Sequence, residues 1–364
     1  MALFVPSMPP VALLRDRMEA VHASGTFTNF GPFSMLFEAR LAERLGVPVD
    51  HVCAVTSATA GLAAALMAVA GDGGLCAMPA WTHAATAAAV RIAGLQPYFL
   101  DVDPVTWQLD PERLTGRLAK APGRVTAVLM VAPFGSRIDV PGWAAFQQRS
   151  RLPVVVDAAA GFDSWTDSPL VSVVSFHATK GFAIGEGGAA LCPTAELGWR
   201  LRATINLGMD AGRVARIPGL NGKLDEHRSV IGLAALEAWP ETRSVLAARM
   251  SAYDRALERA GLAVTRPAPA VGVVTSTYVV ELAAADAVRT VDGLARHGVQ
   301  ARRWWGDGCH RAPAFAGAAR EALTATDRLA ARVVGLPLHA ALSFEDVDYV
   351  VACLGRVLDG AGEG

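Results

Sequence analysis

Short apolar runs alternate with longer stretches of helically spaced apolar residues over the first half of the chain. The runs at 125–132 and 171–176 contain few polar residues, as is typical of strands buried on both faces of a sheet. Helical stretches between such strands are the pattern of βαβ units. The pattern therefore predicts an α/β fold with a mostly parallel central sheet that is covered by helices.

The elements of this first part can be placed approximately from the spacing of apolar residues and from glycine and proline. The predicted strands are 51–56, 75–78, 97–102, 125–132, 153–157 and 171–176. The predicted helices are 9–22, 33–45, 59–70, 82–93, 111–120, 140–149, 194–207, 225–239 and a long helix at about 240–260.

The pattern changes after Gly261. The predicted elements there are a strand at 271–282, a helix at 285–297, a short strand at 299–303 and two helices at about 318–334 and 343–358. This order predicts a small C-terminal α+β domain at residues 251–364. A large α/β domain, including the N-terminal helices, would then occupy residues 1–250.

Composition excludes several classes of partner. The 364 residues are 52% hydrophobic and 18% charged with a net charge of −1, so no basic surplus indicates nucleic acid. The five cysteines are scattered without a CxxC pair, which indicates reduced thiols in a cytoplasmic protein and no zinc or other metal site. The N-terminus lacks the features of a signal peptide, and the uncharged stretch 52–71 divides into a strand and an alanine-rich helix, so we expect no membrane segment.

Lys180 is the first candidate for chemistry. The chain has three lysines (Lys120, Lys180 and Lys223) among 33 lysines and arginines, and Lys180 lies between the strand 171–176 and a glycine-rich turn. A desolvated amine can lose its proton and form a Schiff base, which a guanidinium cannot do. The alternative interpretation is a solvated lysine on a loop.

Other polar groups follow the ends of predicted strands, where open α/β sheets bind ligands. Small hydroxylated residues at 56–61 open a helix and could bind a phosphate, or could be an ordinary helix cap. Asp157 could hold a positive charge such as a protonated pyridine nitrogen, or could cap the next turn. Ser175 could add a hydroxyl to the phosphate site, and His177 is more typical of a structural hydrogen-bonding group than of a base. Either ring of Trp81 and His83 could stack on a flat heterocycle, although aromatic residues near a core are commonly only packed there.

Together these groups predict one site for pyridoxal 5′-phosphate (PLP). The motif Ser175-Phe176-His177-x-x-Lys180-x-x-x-x-Gly185-Glu186-Gly187-Gly188 resembles the signature of the DegT/StrS-type sugar aminotransferases, which are fold-type I PLP enzymes. The resemblance extends over nearly the whole chain through further motifs: Phe37-Glu38, Ser57-Ala58-Thr59-Ala60, Pro79-x-x-Thr82, Asp157-Ala158-Ala159, Asn221-x-Lys223-x-x-Glu226 and Leu336-Pro337-Leu338-His339.

The resemblance implies a role for each matching residue. Lys180 would form the Schiff base with PLP and move the proton during catalysis, and Asp157 would pair with the pyridine nitrogen. Asn221 would reach the phosphate of the neighbouring subunit, which implies a homodimer. The remaining cofactor-binding candidates are Ser57, Ala58, Thr59, Ala60 and Ser175 at the phosphate, His83 as the stacking ring with Trp81 second, and Ala159 and His177 beside the cofactor.

The resemblance also implies an amino donor, L-glutamate or L-glutamine, and a keto acceptor, either a nucleotide-linked keto sugar or a keto-cyclitol. The substrate-binding candidates are Phe30, Gly31, Ala160, Gly185, Glu186, Arg303, Trp304 and His310. Ala160 replaces the polar residue usual in the family, and Lys223 stands where arginine is common. Two alternatives stay open: a different carbanion reaction on PLP, such as dehydration, and a non-catalytic partner or regulator of the same fold.

Overall fold

The computed structural model of the chain describes residues 1–267, 272–284 and 286–360. Its helices are α1 (Arg15–Ser24), α2 (Pro32–Leu45), α3 (Ala58–Val69), α4 (Ala84–Ile92), α5 (Pro111–Leu118), α6 (Val140–Ser150), α7 (Ala195–Thr204), α8 (Glu226–Ala260), α9 (Ala287–Arg296), α10 (Thr324–Arg332) and α11 (Phe344–Gly360). Its strands are β1 (Val52–Val55), β2 (Leu75–Pro79), β3 (Gln96–Leu100), β4 (Val125–Val131), β5 (Val154–Asp157), β6 (Val171–Ser175), β7 (Gly188–Leu191), β8 (Val264–Thr265), β9 (Tyr278–Leu282), β10 (Arg302–Arg303), β11 (Ala319–Arg320) and β12 (Val333–Leu336).

The larger sheet has eight strands in the order β1-β7-β6-β5-β4-β2-β3-β11. All neighbouring pairs are parallel except those of β7, which runs antiparallel to both β1 and β6. The N-terminal end of β7 therefore lies at the edge where its neighbours end, and Gly188 pairs with both Val55 and Ser175. This confirms the predicted α/β fold with a mostly parallel sheet.

Small residues bring α3 close to this sheet. All residues of β1, β5 and β6 are buried, as their continuous apolar runs predict. A Cβ added to Gly61 of α3 would lie 3.0 Å from a methyl group of Val173 and 3.1 Å from one of Val55. The start of α3 is thereby held directly over the ends of β1 and β6.

A second sheet of four antiparallel strands has the order β10-β12-β9-β8. Helix α8 runs for 35 residues and packs on α2 at one part of its length and on α11 at another. Leu246 and Met250 of α8 belong to the core of the small sheet. The domain boundary at residue 250 remains a prediction, because one continuous helix crosses it.

Several predicted elements differ from the structure. The helix 318–334 is wrong at both ends, since β11 pairs with β3 and the buried, β-branched start of β12 pairs with β9. The helix 9–22 begins only at Arg15, because Pro10 is extended and a 3₁₀ turn follows it. The helices 225–239 and 240–260 are one helix, in which Pro240 lies on the exposed face.

The remaining differences concern strands. Strand β7 is not predicted by its sequence of glycine and alanine, and the strand expected at 299–303 is limited to Arg302–Arg303. Of the strand expected at 271–282, only Tyr278–Leu282 is a strand. The predicted ends at Val271 and Ala285 and the last four residues, 361–364, lie outside the described residues. Among the described helices, none is both long and apolar enough to cross a membrane.

Candidate active site

A cavity of about 390 Å³ opens at the edge where the parallel strands of the large sheet end. Its walls come from the start of α3, the start of α4, the ends of β4, β5 and β6, the loop that carries Lys180, and the small sheet. Of the predicted residues, it is lined by Ser57, Ala58, Thr59, His83, Asp157, Ala159, Ala160, Ser175, His177, Lys180, Glu186 and Trp304.

Lys180 lies on a loop whose two ends are bound to each other. The amide of Phe176 donates to the carbonyl of Gly187 (2.9 Å), and the amide of Ala178 donates to that of Gly185 (2.8 Å). Burial lowers the pKa of the Lys180 amine below its usual 10.5, and the negative charge of Asp157 opposes this shift. The structure therefore brings a desolvated amine into the same cavity as the Asp157 carboxyl.

The carboxyl group of Asp157 is held by hydrogen bonds at the end of β5. The hydroxyl of Thr86 donates to Oδ2 (2.7 Å), and the amide of Ala159 donates to Oδ1 (3.0 Å). Because the proton of Thr86 is used in this way, Thr82 donates its own proton to Thr86 Oγ1 (2.7 Å). Burial raises the pKa of Asp157, while these donors and Lys180 favour its ionised form.

The start of α3 and the end of β6 supply donors for an anion. Ser57 caps α3 and accepts the amide of Ala60 (3.2 Å), and Ser175 Oγ accepts the amide of His177 (3.2 Å). Each serine hydroxyl keeps its own proton to donate. The amides of Ala58 and Thr59 open the helix, where backbone N–H groups have no partner within the helix.

Glycine keeps this helix start open. A Cβ on Gly188 would lie 3.1 Å from the amide nitrogen of Ala58 and 2.6 Å from the carbonyl oxygen of Val174. The donor set therefore fits PLP, because it provides an amine, a carboxylate and an anion cradle in one cavity. The amide of Ala60, which was expected to bind the phosphate, donates to Ser57 instead.

His83 and His177 both reach the cavity. His83 Nδ1 accepts the amide of Ala85 (3.2 Å), which fixes its ring at the start of α4, and burial followed by the charge of Lys180 lowers its pKa. His177 Nδ1 accepts the amide of Thr179 (3.2 Å), and its Nε2 lies 3.6 Å from the carboxylate of Glu186. His83 thus lines the cavity at the start of α4, and its ring-stacking role stays a prediction, whereas His177 organises the loop of Lys180.

The small sheet closes the cavity with an aromatic wall. The rings of Trp305 and Phe134 are stacked with centroids 4.4 Å apart. Trp304 lies against Gly335, where a Cβ would come within 2.4 Å of its indole ring. Arg302 also lines the cavity.

Eight predicted residues do not line this cavity, and one of them is Ala60, described above. Trp81 is fully buried against Trp107 and Trp305, and Arg303 is bound to Asp307 and to the carbonyl of Ala330. His310 is buried beside Asp327, with its Nε2 3.4 Å from that carboxylate. The other four lie outside it as well: Phe30 and Gly31 at the start of α2, Gly185 in the loop of Lys180, and Asn221 on an exposed segment, where it accepts from Lys223 Nζ (2.9 Å).

Sequence reasoning missed Thr86, and of two adjacent arginines it chose Arg303, whereas Arg302 lines the cavity. Thr82 and Thr86 are four residues apart, which on a helix start places both side chains on one face and could have indicated a hydrogen-bonded pair. No comparable signal distinguishes Arg302 from Arg303.

Comparison with known proteins agrees with this geometry. A family model described as the DegT/DnrJ/EryC1/StrS aminotransferase family matches residues 12–355. The chain is 28% identical to a dTDP-4-amino-4,6-dideoxy-D-glucose transaminase of Shigella dysenteriae, over 97% of both chains. A Bacillus cereus structure described as a PLP-dependent aminotransferase has a TM-score of 0.92 at 29% identity, covering 97% of this chain and 99% of that one. The structure of DesI with its TDP-sugar product has a TM-score of 0.86 at 30% identity, covering 100% of this chain and 95% of that one.

Proposed function

The chain belongs to the DegT/DnrJ/EryC1/StrS aminotransferase family, and we propose that it uses PLP to move an amino group from L-glutamate or L-glutamine to a keto sugar. The acceptor is a nucleotide-linked keto sugar or, as the second member of the class, a keto-cyclitol. The observation that carries the proposal is that the Lys180 amine and the Asp157 carboxyl line one cavity with the donor-rich start of α3. Similar chains that are named as transaminases of nucleotide-linked sugars support the choice of acceptor.

Each end of the cofactor has a matching group in the cavity. Lys180 would hold it covalently through Nζ, and Asp157 would face the ring nitrogen. The hydroxyls of Ser57 and Ser175 and the amides at the start of α3 would hold the phosphate. When bound, PLP supplies an aldehyde carbon that exchanges between amines and a ring that accepts electron density from that carbon.

The residues of the chain then supply proton transfer and charge. Because burial lowers its pKa, the amine of Lys180 would be able to accept a proton at Nζ and release it again beside the bound group. The Asp157 carboxylate would hold a proton on the ring nitrogen of the bound cofactor, since a negative charge there favours the protonated ring. The stacked rings of Trp305 and Phe134 add apolar surface to the wall of the same cavity.

Ala160 is the lining residue that we relate to the choice of acceptor. It lines the cavity near Phe134 and offers no side-chain hydrogen-bonding group. A hydroxyl of the acceptor directed at this wall would be left without a partner, so we propose that this side binds a ring carbon that carries no hydroxyl.

Substitution of Lys180 by alanine tests the proposal. Wild type treated with PLP and then borohydride should gain the mass of one reduced cofactor on the peptide containing Lys180. With L-glutamate it should release 2-oxoglutarate. Lys180→Ala should lose both signals, whereas Lys120→Ala, which removes a lysine in the turn after α5, should keep them.

Two results would contradict the proposal. Attachment of the cofactor to another residue would refute the role of Lys180. A wild-type protein that binds PLP but releases neither 2-oxoglutarate nor 2-oxoglutaramate from the two donors would refute transamination from them.

A further inference from the structure

The turn that leads into α3 is bound to a segment far away in the chain. Thr56 lies between the end of β1 and Ser57, the residue that caps α3. The amide of Thr56 donates to the carbonyl of Gly222 (2.8 Å), and Val55 forms an isolated β-bridge with Lys223. The main chain at the entrance to α3 is therefore held by the segment that precedes α8.

Arg228 adds a connection through its side chain. Its Nη1 donates to the hydroxyl oxygen of Thr56 (3.0 Å). Arg228 lies in the first turn of α8, where its backbone amide donates to one carboxylate oxygen of Asp225 (2.9 Å) and its Nε lies 3.4 Å from the other. The guanidinium thus has a fixed position between a carboxylate and the Thr56 hydroxyl.

The turn that Arg228 holds leads directly into the anion cradle at the start of α3. Ser57, the next residue, has an extended backbone (φ −162°, ψ 157°), and the amides of Ala58 and Thr59 follow it. A helix start binds an anion through N–H groups that point at it, so their direction depends on where the preceding turn lies. Because Thr56 is held through both its main chain and its side chain, these donors are in place before a ligand arrives.

Arg228 also adds positive charge beside the cradle. Its guanidinium is bonded to the residue next to Ser57, and a phosphate monoester carries about −1.5 to −2 charges at pH 7. Of the two acidic residues at the start of α8, Glu226 is directed elsewhere, because it accepts two backbone amides at the start of α2 (2.8 Å each). Asp225 offsets part of the charge of Arg228, and the remainder favours an anion at the cradle.

An alternative role for Arg228 is to anchor α8 to β1 without any specific effect on ligands. Neither Thr56 nor Arg228 lines the cavity, so Arg228 acts on a ligand from outside it. An anchor would change the stability of the fold and the binding of all ligands of the cavity alike. An effect confined to ligands that carry a phosphate distinguishes the two roles.

We propose that Arg228 is a positioning residue for the phosphate group of PLP, a role that rests on the function proposed above. By holding the Thr56 hydroxyl, it fixes the turn that orients the donors of α3, and its charge favours an anion there. PLP should therefore gain more from Arg228 than pyridoxal does, since pyridoxal carries a hydroxyl in place of the phosphate.

Binding of PLP and of pyridoxal tests the proposal without requiring turnover. Dissociation constants are measured by absorbance titration after removal of bound PLP. Arg17→Gln is the matched control, because Arg17 pairs with Glu237 of the same helix α8 and its side chain is 34% exposed, compared with 37% for Arg228. Arg228→Gln should raise the dissociation constant of PLP about 10-fold and leave that of pyridoxal unchanged. Arg228→Lys, which keeps the charge, should recover part of the loss, and Arg17→Gln should match wild type.

Thr56→Val tests the route through the hydroxyl and serves as a second variant if Arg228→Gln does not fold. It should weaken PLP binding selectively, and the double variant should lose less than the sum of the two single losses. Equal weakening of PLP and pyridoxal, or unchanged PLP binding in Arg228→Gln, would overturn the proposal, and strictly additive losses would overturn the route through Thr56. If wild type binds PLP but releases no 2-oxoglutarate from glutamate, the proposed transamination fails, and the two affinities still report on Arg228.

Discussion

At the scale of single residues, the site depends on how Asp157 is kept charged in a buried position. Burial alone would favour the neutral acid, and the donors from Thr86 and Ala159 oppose it. Thr82 contributes indirectly, because its proton goes to Thr86 Oγ1 and leaves the proton of Thr86 directed at the carboxylate. Thr82 thus favours the ionised form of Asp157 indirectly, through its hydrogen bond to Thr86.

We predict that Thr86→Val weakens the preference for PLP over its analogue with carbon in place of the ring nitrogen. Loss of a hydrogen bond to a charged group costs about 1.5–3 kcal/mol. The dissociation constant of the analogue divided by that of PLP should therefore fall about 10-fold or more. Thr86→Ser should restore it. Thr290→Val, which removes a buried hydroxyl in α9, is the matched control. An unchanged ratio in Thr86→Val would contradict a role in charging Asp157.

The pKa of Lys180 gives a second prediction at this scale. Covalent loading with PLP needs the neutral amine, so its rate should rise with pH and level off below the usual pKa of 10.5, because burial lowers the pKa. Asp157→Asn removes the charge that opposes this shift and should move the midpoint to still lower pH. The measurement is the rate of appearance of the absorbance of bound PLP as a function of pH. A midpoint that moves upward in Asp157→Asn would be incompatible with the electrostatics described here.

The residues of the cavity were predictable to different degrees. Lys180, Asp157 and Ser57 each follow a strand whose apolar run is clear in the sequence, so their convergence follows from the parallel sheet. The choice between Arg302 and Arg303 depends on the register of a two-residue strand with β12, which neither residue type nor spacing reveals. Trp81 was interpreted as a second stacking candidate, but its place is decided by packing against Trp305, more than two hundred residues away.

At the scale of elements, a strand is predicted correctly where its residue types have high strand propensity and the strand is buried on both faces. The parallel strands are continuous apolar runs because both their faces are buried, and these were predicted within a few residues. Strand β7 consists of Gly188-Ala189-Ala190-Leu191, which has low strand propensity and becomes a strand only because it fills the space between β1 and β6. The predicted helix 318–334 includes the first two residues of β12, because the apolar pattern of α10 continues into this strand.

The packing of α8 on α2 leads to a prediction about stability. A Cβ on Gly232 would lie 2.5 Å from the ring of Phe37, so Gly232→Ala should lower the free energy of unfolding by about 1–3 kcal/mol. Gly116 in α5 has no heavy atom within 4 Å of the same position. Gly116→Ala should therefore raise the free energy of unfolding by about 0.5–1 kcal/mol, because alanine favours the helix. Urea unfolding of both variants measures the difference, and shifts of equal sign would contradict the packing.

At the scale of the whole molecule, the cavity is assembled from parts that are far apart in the chain. The large sheet supplies Lys180 and Asp157, and the small sheet supplies Arg302 and Trp304. The N-terminal segment joins the two, because the amide of Leu3 donates to Gln300 and Phe4 packs against Trp304. The part of the cavity wall that the small sheet supplies is thus tied to the position of the first residues of the chain.

The homodimer that the family resemblance implies leads to a prediction for mixed dimers. If Asn221 serves the phosphate site of the neighbouring subunit, two inactive variants, Lys180→Ala and Asn221→Ala, should complement each other. In a mixed dimer, the intact Lys180 and the intact Asn221 would meet in one of the two sites, so up to half of the wild-type activity per dimer should return. Differently tagged subunits, purified as mixed dimers and tested for release of 2-oxoglutarate, provide the measurement. If Asn221 acts within its own subunit, no activity returns.

The loop of Lys180 leaves β6 and re-enters the sheet as β7, the strand beside it. Hydrogen bonds from Phe176 and Ala178 to Gly187 and Gly185, and from Ile184 back to Phe176, close the loop from within. The covalent exchange proposed at Nζ would therefore require torsional freedom of four methylene groups and little displacement of the main chain. The conformational entropy lost on capture of the amine by PLP would be confined to one side chain, so amide hydrogen exchange across the loop should be equally slow before and after PLP is added.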